Sequence, residues 1–390
     1  MIQDRRNFLF ASAAATVAAA ALDPVAAVAG EPGAASGGGD PLFVNSLGTL
    51  FGFDAPPPPP GSKPLIVETR PEMVTDSAVR DTLAAGMAAV NVTVGHVAGD
   101  IDPFEHSVAD IGRWNRIVRQ RSDKLLHVLT ADDILRARRE GKVGVIYGSQ
   151  NSTMLGDKVE RVDLFADLGL RVFQLTYNAA TSVGDGSIVP ENRGLTPFGR
   201  SVVERLAERR ILCDLSHSGQ RTCLDAVRHS ARPVTITHTA CRALVDVPRN
   251  KSDEELRLVA EKGGYVGIYF MPFLTDSGPA KAEHVARHIE HAIKICGEDH
   301  VGIGTDGPMS AVPNMAEFME AQRQYIVQRR AQGIAAPGER EDAPFFVVDL
   351  QGPDQYRALA RLLRSRGHSQ ARADKIMGAN FVRVARDVWG

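Results

Sequence analysis

The stretch Ile211-Leu212-Cys213-Asp214-Leu215-Ser216-His217-Ser218, followed after a helical interval by Pro233-Val234-Thr235-Ile236-Thr237-His238-Thr239, decides the fold. Two short apolar, β-branched runs each end in a histidine, and the interval between them accommodates one crossover helix. Such a connection lays adjacent parallel strands side by side with their carboxyl ends at the same edge. His217 and His238 are then expected to face one pocket from neighbouring strand ends. Imidazole is the commonest side-chain ligand for zinc, and two from rigid strands start a first shell. The plainer alternative is that each merely satisfies a core hydrogen bond.

Outward from this stretch, short apolar runs alternate with amphipathic ones. Strands are expected at Leu65–Glu68, Ala88–Val94, Val143–Ser149, Arg171–Asn178, Ile211–Ser216, Pro233–His238, Tyr265–Phe270 and His300–Asp306. Helical patterns fall between them, with a capping box at Ser252 and Glu255 and stop signals at Gly141 and Gly169. Eight strand–helix units without an internal break in composition predict an α/β chain folded as a (β/α)8 TIM-type barrel, a single domain over 64–390. An open doubly wound sheet is the alternative, but the Gly-rich phosphate loop usual after its first strand is missing. Ala316–Pro353 is charged and irregular, and reads as a long helix and a loop over one face, with a homodimer contact as one role. Helices at Gln355–Ser365 and Gln370–Val388 close the domain as a C-terminal helical extension.

Barrel active sites are built at the carboxyl ends of the strands. Polar residues gather there: Glu68, Arg70 and Glu72; Asn91, Thr93 and His96; Ser149, Gln150 and Asn151; Tyr177 and Asn178; His217, His238 and Asp306. Asp306, in Gly304-Thr305-Asp306-Gly307, suits a general base or a further ligand, with glycines on each side leaving room. Arg249, on the loop after the His238 strand, suits bidentate capture of a carboxylate, or else a surface salt bridge.

The 390 residues carry a net charge of −2, with 44% hydrophobic and 24% charged residues, which is ordinary globular composition. Near-neutral charge gives no argument for nucleic acid or an anionic membrane surface. Cys213, Cys223, Cys241 and Cys296 lack any CxxC spacing, so a thiolate zinc site is not expected; a Cys213–Cys241 pairing stays open. Arg5-Arg6-Asn7-Phe8-Leu9, an alanine-rich run to Leu22 and Ala27-Val28-Ala29 read as a twin-arginine signal over 1–29. That expectation carries others: a periplasmic or secreted protein, the export machinery as a partner, and no membrane anchor. Residues 30–63, with prolines at 56–60, read as an extended leader that Phe43, Leu47, Leu50 and Phe51 tack onto the body.

Asp214-Leu215-Ser216-His217-Ser218, Thr237-His238-Thr239, Pro248-Arg249-Asn250 with its following Ser-Asp, and Gly304-Thr305-Asp306 resemble the membrane dipeptidase (renal dipeptidase) family of zinc barrels. So do Gln174-Leu175-Thr176-Tyr177-Asn178 and Gly378-Ala379-Asn380-Phe381-Val382-Arg383-Val384, and the resemblance runs from about Leu65 to Trp389. It implies hydrolysis of dipeptides, some with a D-residue at the carboxyl end, by two zinc ions bridged by a glutamate and a hydroxide. It implies that His217 and His238 ligate the second zinc, that Arg249 holds the substrate carboxylate, and that Asp306 is the catalytic aspartate. Tyr177, Asn178, His96 and Asn250 are then expected around the substrate.

This chain departs from the family at the first zinc. Where the family carries His-x-Asp after its first strand, Arg70 and Glu72 are expected here, and Gln150 stands for the bridging glutamate. Tyr177 stands for a substrate-binding histidine. Arginine stays protonated and cannot ligate zinc, and a neutral amide is a poor bridge between dications. One zinc per chain is therefore expected on His217 and His238, completed by Gln150, Asp306 or water, with no metal as the alternative. Arg70 is expected to replace the lost charge, with Asp306 or Glu72 moving protons.

Overall fold

A computed structural model of the chain describes residues 40–56 and 73–390. Its strands are β1 (Phe43–Gly48), β2 (Met87–Thr93), β3 (Leu125–His127), β4 (Val143–Ser149), β5 (Leu170–Gln174), β6 (Leu212–Asp214), β7 (Thr235–Thr239), β8 (Tyr265–Ile268) and β9 (Val301–Ile303). Eight of them run parallel in the order β1-β2-β4-β5-β6-β7-β8-β9. The short β3 pairs with the first residues of β4, and β5 pairs with β4 from Tyr147 onward. The expected (β/α)8 architecture is present as a nearly closed cylinder.

Helices fill the intervals: α1 (Asp76–Ala84), α2 (Pro103–Gln120), α3 (Ala131–Arg139), α4 (Arg161–Asp167), α5 (Pro197–Glu208), α6 (Gln220–His229), α7 (Asp253–Glu261) and α8 (Ala282–Cys296). The capping box expected at Ser252 and Glu255 opens α7. Gly141 and Gly169, with φ of 64° and 97°, follow α3 and α4 in the left-handed region that glycine enters without a Cβ penalty. After the barrel come α9 (Met315–Ala331), α10 (Gln355–Ser365), α11 (Gln370–Asp374) and α12 (Asn380–Trp389). Among the described residues no helix is long and apolar enough to cross a membrane.

The first stave differs from the expectation. Leu65–Glu68 lies outside the described residues, and Phe43–Gly48 forms the strand that begins the sheet. The barrel therefore starts before residue 64, inside the stretch read as a leader. All six residues of β1 are buried, including Asn45 and Ser46, whose polarity reads locally as loop. Their partners are distant in sequence. Asn45 Nδ2 donates to Thr305 Oγ1 at 2.8 Å, and Thr305 N donates to Asn45 Oδ1 at 2.9 Å. The Ser46 hydroxyl is shared between Thr237 O at 2.6 Å and Ile303 O at 2.8 Å. Asp306 N, just beyond β9, donates to Leu47 O at 2.9 Å and bridges the two end strands of the nearly closed cylinder.

Two further expectations change. The single helix expected at Gln370–Val388 is broken by a wider turn at Lys375–Ala379. A Cβ at Gly378 would collide with Leu42 O, so this glycine lets the C-terminal helices press onto β1. All four cysteines are free and buried, so no Cys213–Cys241 disulfide forms.

Removing β1 would orphan the polar groups it meets on β7 and β9, each at about 1–3 kcal/mol when left buried and unpaired. A chain beginning at residue 64 is expected to lose cooperative thermal unfolding by circular dichroism, whereas one beginning at residue 40 keeps it.

Candidate active site

The mouth of the barrel opens on a cavity of about 250 Å³. Its polar floor is made by Thr93, Gln150, Asn178, His217, Arg249 and Asp306. These come from six strand ends or the loops just beyond them, the edge at which barrel sites are assembled.

The β6–β7 seam positions the histidines. The backbone ladder here is one pair, Asp214 with Thr235. The Asp214 side chain supplies the rest. Its Oδ1 accepts from Ser216 N at 3.2 Å, Ser216 Oγ at 2.6 Å and Thr237 N at 2.9 Å, and its Oδ2 accepts from Thr237 Oγ1 at 2.7 Å. Burial pushes the Asp214 carboxyl above its usual range, while these hydrogen bonds oppose the shift.

The two rings converge with Nε2 atoms 2.9 Å apart, but they do not both face the cavity as expected. His217 lines the cavity, and His238 sits behind it with no exposed surface. Their partners fix the tautomers. Asn178 Nδ2 donates to Ile334 O at 2.8 Å, which turns Oδ1 to accept from His217 Nδ1 at 2.6 Å. Thr237 Oγ1 spends its proton on Asp214, so it accepts from His238 Nδ1 at 2.9 Å. Two neutral rings held this way aim bare Nε2 lone pairs at one point. They repel unless a proton or a cation lies between them. Protonation is opposed: burial holds His217 well below the usual imidazole range, with Arg249, His238, Arg329 and Lys251 adding to it. Burial, then Arg249 and Lys251, do the same to His238.

Asp306 has φ 57°, a left-handed conformation uncommon for a side-chain-bearing residue, and it lines the cavity. Burial raises its carboxyl to about 6, against the pull of Arg249 and Arg329. Of the flanking glycines, one leaves room as expected and the other does not. A Cβ on Gly304 would collide with Thr237 O, so that glycine serves packing between strands; the space beside Gly307 is open. Arg249 is 2% exposed and donates through Nη1 to Ser216 O at 2.6 Å. It is therefore no surface salt bridge.

Other expected residues are placed differently. Gln150 lines the cavity and donates through Nε2 to Thr93 Oγ1 at 2.7 Å, leaving its carbonyl as the group able to face a cation. Asn178 acts on His217 as described. Asn250 is absorbed in packing: its Nδ2 donates to Val245 O and Phe273 O, and its Oδ1 accepts from Tyr269. His96 lines a neighbouring cavity, paired with Thr153 Oγ1 at 2.9 Å. Arg70 and Glu72 lie outside the described residues.

Two functional-looking residues escaped the sequence reading. Arg329 on α9 and Glu339 just beyond it form a buried bidentate pair at 2.7 and 2.8 Å in the cavity wall. Arg329 Nη1 also donates to Tyr177 Oη at 3.2 Å, and the Tyr177 ring stacks on His217 with centroids 4.2 Å apart. The segment carrying the pair was expected to cover one face; it reaches into the mouth. No local pattern marks either residue.

Histidine, arginine and aspartate gathered on this rim are the equipment of a barrel hydrolase, and comparison with known proteins narrows the class. Residues 74–325 match the family model of membrane dipeptidase (peptidase family M19). The chain belongs to that family. It is 29% identical over 297 residues to dipeptidase tcpJ of Claviceps purpurea, covering 75% of this chain but only 61% of that protein. It is 25% identical over 299 residues to an uncharacterised protein from the pqqA 5' region of Klebsiella pneumoniae, covering 74% of this chain and 98% of that one. Among solved structures, an amidohydrolase from Pseudomonas aeruginosa superposes with a TM-score of 0.73 at 30% identity, over 90% of this chain and 97% of that chain. A metallopeptidase from Rhodobacter sphaeroides, liganded with a phosphinate mimic of L-Ala-D-Ala, shares the fold with a TM-score of 0.69 at 19% identity, over 90% and 100% of the two chains.

The zinc implied by the family can be tested against the donors present. The end of β1 offers Asn45, Leu47 and Thr49, with no imidazole or carboxylate. Among the described residues no group of three His, Cys, Asp or Glu is arranged to hold a metal ion. The described donors therefore do not fit a two-zinc centre. His217 and His238 offer two nitrogen donors to one borderline cation only with their rings drawn apart, since Nε2 atoms 2.9 Å from each other stand closer than the roughly 3.3 Å that two tetrahedral ligands span.

Because Arg329 and Glu339 are buried together, removing one strands the other. Arg329→Met is expected to cost about 3–5 kcal/mol in chemical denaturation, and Arg329→Met with Glu339→Leu distinctly less.

Proposed function

We propose that this chain is an exported dipeptidase-type hydrolase acting on a dipeptide or another small amide that carries a carboxylate. The observation that carries this reading is the pairing of a buried arginine with a perturbed aspartate on one cavity floor: Arg249 and Asp306. A buried guanidinium is costly without an anion, and a substrate carboxylate supplies one with matching bidentate geometry. Asp306, ionised above about pH 6, accepts the proton of the attacking water and returns it to the departing amine. Tyr177, with Arg329 donating to its oxygen, keeps its own proton for an acceptor in the cavity. A zinc held by His217 and His238 would supply Lewis-acid polarisation; Asn178 and Thr237 orient those rings through their Nδ1 atoms. Family membership supports the reaction class, and the Arg-Arg signal pattern supports export to the periplasm through the twin-arginine machinery.

A second reading rests on the donor-poor end of β1: a family barrel that binds or transforms an amino-acid derivative without metal. Metal analysis separates the two. The hydrolase reading expects about one zinc per purified chain, not two, with hydrolysis detected in a panel of L- and D-dipeptides supplied with zinc, cobalt or manganese. No bound metal and no turnover, with ligand binding retained, would replace it with the second reading.

Asp306→Asn should lower kcat by about 10²–10⁴ with little change in KM, as for loss of a general base. In the unaltered chain kcat/KM should fall as pH drops through about 6, because protonation removes the base form. Arg249→Ala should chiefly raise KM. A pH-rate profile flat across pH 5–8 would remove Asp306 from that role.

A further inference from the structure

The cavity is chemically divided. Besides its polar floor the cavity is lined by Phe51 and Phe53, from the segment after β1, by Phe318, Phe345 and Phe346, from α9 and the loop beyond it, and by a shorter apolar edge of Phe270, Met271 and Phe273 after β8. Four of these rings form a continuous edge-to-face chain. Phe51 and Phe53 have centroids 5.0 Å apart, Phe53 and Phe318 6.2 Å, and Phe318 and Phe346 5.0 Å. Edge-to-face packing of this kind holds aromatic rings in fixed orientations and presents a firm apolar surface. An apolar wall joined to a few convergent polar groups is the usual make-up of a small-molecule site.

The order of strands gives this wall a direction. Around the rim, Arg249 follows β7, Asp306 follows β9 two staves on, and Phe51 and Phe53 follow β1, the stave that closes on β9. Asp306 thus stands between the carboxylate anchor and the aromatic wall. A substrate with its carboxylate on Arg249 and its amide over Asp306 extends its amino-side residue onto the phenylalanines.

We propose that the wall selects substrates whose amino-terminal residue carries a large apolar side chain. This rests on the reading of the site as one for dipeptides or similar carboxylate-bearing amides. Small side chains leave the phenylalanines in contact with water, whereas an aromatic or branched aliphatic side chain removes apolar surface on both partners at once. The residue on the carboxyl side lies toward Arg249, away from the four-ring chain, and meets only the shorter edge of Phe270, Met271 and Phe273. Hydrophobic pockets discriminate about 10–200-fold per methylene, so phenylalanine against alanine is a stringent comparison.

The test is calorimetric titration of the zinc-supplemented Asp306→Asn protein, in which turnover is suppressed, with Phe-Gly, Ala-Gly and Gly-Phe. Phe-Gly should bind at least about tenfold more tightly than Ala-Gly, and Gly-Phe should show no comparable gain. Adding Phe318→Ala should narrow the gap, and adding Phe318→Leu, which keeps apolar volume, should preserve most of it. Measurable but equal affinities for Phe-Gly and Ala-Gly would overturn the proposal and leave the dipeptide reading standing. So would a gain that follows the bulky residue to the carboxyl end. Absence of binding by all three would remove the dipeptide reading, and this proposal with it.

Discussion

The seam between β6 and β7, where the backbone ladder shrinks to one residue pair, is held by the carboxylate of Asp214. Four hydrogen bonds from Ser216 and Thr237 converge on it, and it is buried. A buried carboxylate is stable only when its lone pairs are met in this way. The same contacts set where Ser216 ends one stave and where Thr237 turns His238 inward. The 2.9 Å approach of the imidazoles, and the tautomer of His238, follow from that one anchor.

Electrostatics around the pair point in one direction. Arg249, Lys251 and Arg329 all depress the basicity of His217, adding to burial. A site with this balance disfavours protonated imidazoles and favours an anionic ligand, while keeping neutral nitrogen lone pairs for a cation. Among the described residues, the end of β1 carries no imidazole or carboxylate. What remains is a cationic floor with a single aspartate whose carboxyl sits near 6. That combination agrees with a substrate carboxylate supplying part of the missing negative charge.

The segment after the barrel has become part of the site. Through Arg329, Glu339 and three phenylalanines it builds the wall facing the floor, and the buried ion pair fixes its position. Arg329 sits 152 residues from Tyr177 in the chain, yet donates to its hydroxyl. Charge in α9 reads in sequence as a solvated face because its mean pattern is polar. Which arginine turns inward depends on the surface it meets. Asn250 and His96 show the converse: both stand in rim motifs, and packing draws one into backbone hydrogen bonds and the other into a side cavity.

The sequence by itself determined the alternation of strand and helix, the barrel, the family, and the placing of His217, His238 and Asp306 at strand ends with Arg249 on a loop beyond one of them. All of these rest on short-range signals, namely residue period, caps and motif spacing, which survive without knowledge of the partner. Tertiary structure alone decided that Phe43–Gly48 is the opening stave, because the side chains of its buried Asn45 and Ser46 find partners in Thr305, Ile303 and Thr237, about 190 to 260 residues away. It likewise decided the Arg329–Glu339 wall and the polar-to-aromatic division of the cavity. Burial of a polar group is favourable only once its distant partner has arrived, and no local pattern records that arrival.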